Sequence, residues 1–271
     1  MQRKKFWVGI IVLAVLSTLA LAQERPQEPG SAPTVEEILR SYVEDFRADP
    51  AAAEAMTFGV RVSGEGGGEW HVVVAGKKEG AAAADVSLRS GLPAEPCAFY
   101  TLDLETLRRI DRGELNALTA MGRARESDPT PMDIDFMPGF QPTPDFIVRF
   151  FPFTFHFFTR GFPEVVPFGR EHSRVVHGGN IVIFYYQEGL RSGWAQLEKG
   201  QHVNADPRDQ VNEFPSMFIV IRGRAVGKIG GKEGTLQAGE MILVPAGVSH
   251  EFWNPYDEPA EVILVMFGAG A

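Results

Sequence analysis

The 271-residue chain holds a single cysteine, Cys97. That excludes an intrachain disulfide and a cysteine-rich zinc site. Positive charge is also short: 26 Lys and Arg against 35 Asp and Glu leave a net charge of −9. A chain of that sign lacks the basic footprint of a nucleic-acid binder. Tyrosine and tryptophan are few, at 5 and 4, whereas phenylalanine numbers 20. Apolar residues at 44% and charged residues at 23% are ordinary for globular proteins and exclude wholesale disorder. The length fits one or two domains, and two once the ends are set aside.

Arg3, Lys4 and Lys5 precede an uncharged apolar run from Phe6 to Ala22 that ends in Ala20-Leu21-Ala22. A positive n-region, a short apolar core and a small-x-small site spell a secretory leader over residues 1–22, hence export to a periplasm or the exterior. The alternative is an uncleaved membrane anchor, for which the run sits at the lower length limit. Residues 23–33 are rich in Pro and polar residues and read as a linker.

Thr34-Val35-Glu36-Glu37 is a capping box, and Val35, Ile38, Leu39, Tyr42, Val43 and Phe46 follow at helical spacing. Strands are expected at 57–62, 69–74 and 84–88, with the glycine cluster Ser63 to Gly68 forming a hairpin turn rather than a phosphate loop. A helix is expected at 101–112, with Leu104, Leu107 and Ile110 inward. The stretches Leu102 to Leu107, Gly113-Glu114-Leu115-Asn116 and Ala120-Met121-Gly122-Arg123 resemble the sterol carrier protein type domain. The resemblance implies an α+β domain over residues 34–133 that holds a fatty-acyl or sterol-like ligand, and it brings no catalytic residue.

Eleven phenylalanines lie between Phe136 and Phe168, interleaved with prolines at 138, 142, 144, 152, 163 and 167. The prolines argue against one long helix, and Phe151, Phe153, Phe155 and Phe157 alternate as in a strand with one apolar face. This connector, residues 134–170, reads as a wedge between two domains. The sharper reading makes it a lid, a mouth or a transient membrane-touching patch, with Phe153 and Phe157 against an apolar ligand. His156 within it reads as hydrogen-bonded structure.

From residue 171 onward short apolar runs recur at close spacing, at 181–186, 194–197, 217–221, 225–229, 241–244, 250–253 and 262–267. Such spacing marks an all-β sandwich or barrel. Gly239, Pro245, Gly247, His250 and Asn254 meet every fixed position of G-x5-P-x-G-x2-H-x3-N, so residues 171–271 resemble the cupin family and its jelly-roll barrel. The family's first motif is degenerate. Ser216 stands at the glutamate position, and Gln210 and Asn212, or Asp209 and Val211, stand at the two histidine positions. The family's metal site uses three imidazoles and a carboxylate; amides and a hydroxyl are poor ligands for zinc, iron or manganese.

The sequence therefore reads as an exported two-domain protein that binds a small apolar or lipid-like molecule, with the question of catalysis left open. His250, Gln210, Asn212 and Ser216 are the ligand-binding candidates of the cupin part, with His250 hydrogen-bonded to Gln210 or Asn212. The rival is a metal-dependent oxygenase, isomerase or lyase in which His250 is joined by Glu213 and His202, with His172 also in reach. His172 and His177 are otherwise expected at the surface or at strand ends. The cofactor is a divalent metal in that rival and none in the favoured reading. A single barrel implies, by the same resemblance, a homodimer through the cupin domain.

Overall fold

The computed structural model describes residues 32–271 except 124, 126, 161 and 162. The leader at 1–22 and nearly all of the linker lie outside the described residues. Helix α1 (Val35–Phe46) begins at the expected box. The Thr34 hydroxyl accepts from the Glu37 N–H at 3.3 Å, and Glu37 Oε2 accepts from the Thr34 N–H at 2.8 Å. Its six apolar residues are all buried, as their spacing requires.

Five strands follow: β1 (Met56–Ser63), β2 (Gly68–Val74), β3 (Val86–Ser90), β4 (Ala98–Asp103) and β5 (Met132–Phe136), in the spatial order β3-β2-β1-β4-β5. The glycine cluster closes the β1–β2 hairpin, and β1 and β4 are the one parallel pair. Helices α2 (Leu104–Asp111) and α3 (Ala117–Met121) separate β4 from β5. The expected helix at 101–112 starts later because Thr101–Asp103 belong to β4, where Asp103 caps α2 by accepting from the Thr106 N–H. Among the described residues no helix is long and apolar enough to cross a membrane.

The phenylalanine belt departs most from expectation: Pro144–Phe158 is helix α4, not a strand. The belt is so dense in phenylalanine that it satisfies two periods at once. Phe151, 153, 155 and 157 alternate, but Phe146, Phe150, Phe153 and Phe157 also recur at four, three and four residues. Pro144 sits in the first turn, where no N–H is needed, and Thr143 caps the start. Only Pro152 interrupts the interior, and burial of the inward rings outweighs the lost bond. Phe150, Phe153, Phe157 and Phe158 enter one core with α1 and the sheet, in T-shaped contacts such as Phe58–Phe157 at 4.9 Å and Phe46–Phe153 at 5.2 Å. Tyr100 donates to Thr154 Oγ1 at 2.7 Å, because the threonine proton goes to the Phe150 carbonyl.

At the end of α4, His156 Nδ1 lies 2.5 Å from Glu164 and 3.4 Å from the buried Asp49. His156 is hydrogen-bonded structure, as its setting in the belt suggested. Contact with Asp49 foremost, then the bond to Glu164, raises the His156 pKa above 6.5 against the opposing effect of burial. Burial pushes Asp49 upward, but the bonds from His156 and the Ala51 N–H outweigh it and leave its pKa below 3.8. Stability from the histidine is present below about pH 6.5 and is lost as pH rises through its raised pKa; stability from Asp49 is present above about pH 3.8 and is lost as pH falls through its lowered one. The gap in urea midpoint between wild type and His156→Gln should therefore be widest between about pH 4 and 6.5 and narrow towards pH 9. A gap that widens with pH contradicts this clasp.

The C-terminal part forms two sheets. One has the order β13-β10-β15-β8-β7-β6 and comprises β6 (Arg174–Val176), β7 (Gly179–Gln187), β8 (Leu190–Leu197), β10 (Ser216–Arg222), β13 (Met241–Val244) and β15 (Ala260–Phe267). The other, β12-β11-β14-β9, comprises β9 (His202–Val203), β11 (Arg224–Ile229), β12 (Lys232–Gln237) and β14 (His250–Trp253). All seven expected strands are present; β6, β9 and β12 are additions. The sheets face each other, with Phe218 of β10 4.5 Å from Phe252 of β14, and they are hydrogen-bonded separately rather than as one closed barrel. The α+β part docks on β7. Thr119 Oγ1 accepts from the Ile183 N–H at 2.8 Å, Asn116 donates to the Ile183 carbonyl at 3.0 Å, and the Phe151 ring packs, tilted, 4.4 Å from that of Tyr186.

Candidate functional site

Strand register builds the interior of the two-sheet part in layers, because residues two apart share a face. Ala195, Val262 and Val220 are partners across β8, β15 and β10 and form a small apolar core. Two residues along, the layer is Gly193, Leu264 and Phe218; two further, it is Arg191, Met266 and Ser216. Gly193 contributes no side chain to the second layer, since a Cβ there would lie 2.6 Å from the Val182 carbonyl of β7, and Gly193, Leu264 and Phe218 all border open space. It is part of a cavity of about 570 Å³ that reaches out of the sandwich to Leu118, Met121, Ile134, Phe150 and Phe151 of the α+β part. That volume lies within the range of about 300–1,000 Å³ usual for small-molecule sites.

His250 lies on the cavity wall and is 2% exposed. Its position follows from the turn before β14. Val248 N–H bonds to the Pro245 carbonyl, Gly247 adopts a φ of +76°, and the His250 N–H bonds to the Gln210 carbonyl at 2.8 Å. Asn254 ties the far end of β14, donating to the Leu197 and Glu258 carbonyls at 2.9 Å each. The motif residues other than His250 thus secure the fold. His250 Nδ1 is 3.2 Å from the Val248 carbonyl, so the expected side-chain bond to Gln210 or Asn212 is not what holds the ring. Burial keeps the imidazole below its ordinary value of 6.5 and hence neutral at pH 7.

The other sequence candidates divide. Asn212 lines the cavity and donates to the buried Ser216 hydroxyl at 3.3 Å. Gln210 stands one step behind, donating to the Asn204 carbonyl at 3.1 Å. Phe153 and Phe157 do not reach this cavity; they are spent in the α+β core, while Phe150 and Phe151 line it instead. Helical rather than strand periodicity decides which rings face which way.

The metal set of His250, Glu213 and His202 does not assemble. Register pairs His202 with Trp253 and Val203 with Phe252, so Val203 faces the cavity and His202 faces the opposite side. There His202 Nε2 is 2.9 Å from Glu251, which also meets Lys228 at 3.2 Å. Glu213 is exposed, and His172 pairs with Glu171 at 3.7 Å. Among the described residues, the one group of three ligand-type side chains with atoms within 4.8 Å of one another is Asp49, His156 and Glu164, outside this cavity. The residues beside His250 therefore do not fit the three-imidazole, one-carboxylate metal centre of the cupin resemblance.

Two polar residues that were not among the site candidates complete the wall, and a third, Arg125, braces them. His177, from the β6–β7 turn, and Asp209 both line the cavity, with His177 Nδ1 4.0 Å from Asp209. Arg125, from the segment between α3 and β5, bonds to Asp209 and Asp206 at 2.7 Å each and so bridges the two parts of the chain beside His177. Burial lowers the His177 pKa below 6.5, against the opposing charges of Asp209 and Asp128. Two of these carried a signal: His-Gly-Gly between two apolar runs marks a tight turn, and Asp209 falls on a histidine position of the first motif in one of its two spacings.

The fold and this wall define a jelly-roll domain whose interior opens onto a second, α+β layer. Residues 193–266 match the Cupin domain family and carry a cupin domain. That match stops short of residues 34–133, so the sterol-carrier resemblance gains no support from it. The C-terminal part is similar to a Cupin 2 conserved barrel domain protein from Salinispora arenicola, at 20% identity over 39% of this chain and 89% of that one, with a TM-score of 0.35. It is also similar to an RmlC-like cupin with a double-stranded β-helix fold from Methanocaldococcus jannaschii, at 16% identity over 40% and 94% of the two chains, TM-score 0.34. A predicted oxalate decarboxylase from Thermotoga maritima is similar at 16% identity over 33% and 79%, TM-score 0.30. No curated protein matches the chain.

Proposed function

We propose that this protein binds a small, largely apolar molecule in the cavity shared by its α+β and cupin parts, and that the cupin part serves as a binding module rather than a metal enzyme. One observation carries the reading: a cavity of about 570 Å³ is walled mainly by apolar residues of both parts, with His250, His177, Asp209 and Asn212 among its polar groups. Apolar walls supply affinity at roughly 25 cal/mol per Å² buried, and a few placed polar groups fix orientation. A sterol-carrier-like role for residues 34–133 belongs to this proposal, since Leu118 and Met121 of α3 and Asp133 lie on the outer wall, which the rest of β5 and α4 extend. The leader at 1–22 adds that the ligand is met after export.

The test is mass spectrometry of organic extracts from natively purified protein, with metal analysis of the same sample. A bound apolar compound is expected from wild type and not from Leu264→Trp, whose larger ring would fill the middle layer. Absence of any bound compound together with no uptake of a fluorescent fatty acid would overturn the reading. So would stoichiometric iron, manganese or zinc that His250→Ala removes.

A further inference from the structure

His177 is an odd choice for where it stands. His177 and Gly178 are the two residues of the β6–β7 turn, between the partners Val176 and Gly179, and both have positive φ, +53° and +86°. A two-residue turn of this hand favours Asn, Asp or Gly in its first position. Histidine tolerates positive φ better than most side chains but is not among the residues this turn favours, and uncommon backbone of this kind gathers at ligand sites. The ring gains no bond in return. Its Nδ1 is shielded from solvent with no hydrogen-bond partner, and Asp209 at 4.0 Å is beyond bonding distance.

The neighbouring groups show what an incoming atom would have to supply. The Val248 carbonyl can only accept, so a bond from His250 Nδ1 requires the proton there and leaves Nε2 with a bare lone pair. Asn212 gives one of its two amide protons to Ser216 and keeps the other as a donor. Asp209 is a carboxylate held by Arg125, which Asp206 also engages. This end of the cavity therefore offers acceptors in His250 Nε2 and Asp209, one amide proton of Asn212, and in His177 an imidazole that can donate or accept. A hydroxyl can give its proton to such acceptors and take one from His177. A carboxylate has no proton to give and would face Asp209. An ammonium group cannot accept from His177 and shares the cavity with the guanidinium groups of Arg123 and Arg191.

We propose that His177, His250 and Asp209 form a recognition site for an uncharged hydroxyl at the end of an apolar ligand, an alcohol or phenol rather than a fatty acid. This rests on the binding reading above and adds the headgroup to it. Burial keeps both histidines neutral, and the cations that line the cavity are already engaged, Arg123 by Asp133 and Arg191 by the Gly270 carbonyl.

Titration calorimetry of the full chain with dodecanol, dodecanoate and dodecylamine, each below its aggregation limit, tests the proposal. Dodecanol should bind at least about tenfold more tightly than either other compound, the scale of one buried hydrogen bond. His177→Asn, which suits the turn, should keep or raise the thermal midpoint. It should weaken dodecanol about tenfold and leave dodecanoate unchanged. Dodecanoate or dodecylamine binding as tightly as dodecanol overturns the headgroup assignment alone, and so does an unchanged dodecanol affinity in His177→Asn. Failure of all three compounds to bind overturns the binding reading and the headgroup assignment with it.

Discussion

Phe157→Ala should lower the free energy of unfolding by about 3–5 kcal/mol, the range for emptying a ring from a packed core. Phe157 is 1% exposed and sits among Tyr42, Phe46, Phe58 and Phe158, with centroids 4.9–5.9 Å away. These rings come from α1, β1 and α4, so no single movement closes the space left behind. Against a typical total of about 5–15 kcal/mol, this is a large fraction. Urea unfolding measures it directly. Phe151→Ala is the informative partner: its ring lines the cavity and meets Tyr186, so it should cost less stability and change ligand affinity more. A loss below about 1 kcal/mol at Phe157 would mean that the core is not packed as described.

Gly178→Ala should be nearly as damaging, by about 2–4 kcal/mol, for a different reason. Its φ of +86° disfavours any side chain by about 1–2 kcal/mol. The added methyl would also come within 2.2 Å of the His202 carbonyl, so β9 would have to move. Gly200→Ala separates the two contributions. Gly200 has a similar φ of +84° but open space around it, so only the backbone cost of about 1–2 kcal/mol applies. Because His177 precedes Gly178, the same change should loosen the histidine and weaken ligand binding. Equal losses at the two glycines would show that the close approach to β9 is absent.

Some of this was legible in the sequence for physical reasons that act locally. A capping box and six apolar residues at one spacing specify α1 without help from the rest of the chain. The cupin strands could be read because each is a short apolar run bounded by turn residues, and the turn ahead of His250 because Pro245 and Gly247 constrain the backbone themselves. What could not be read depends on partners far away in the chain. Strand β5 exists because Met132–Phe136 pairs with β4 some thirty residues earlier. The facing of His202 follows from its pairing with β14, about fifty residues later, and no local pattern reveals it. In α4 two periods fitted the same letters, and only the presence of a core to be filled chose between them. The cavity lay beyond reach for the same reason, since its outer wall and its floor come from opposite halves of the chain.

Helix α4 presents Phe153 and Phe157 to one core and Phe151 and Phe155 to Tyr186 and Tyr185 of β7. A boundary drawn at residue 170 therefore marks a change of architecture and not a seam at which the protein comes apart. Severed there, the jelly roll would offer bare tyrosine rings to water. Melting should accordingly be a single event in calorimetry. Any occupant of the shared cavity, touching both halves, would raise the melting temperature of the whole in step with its concentration.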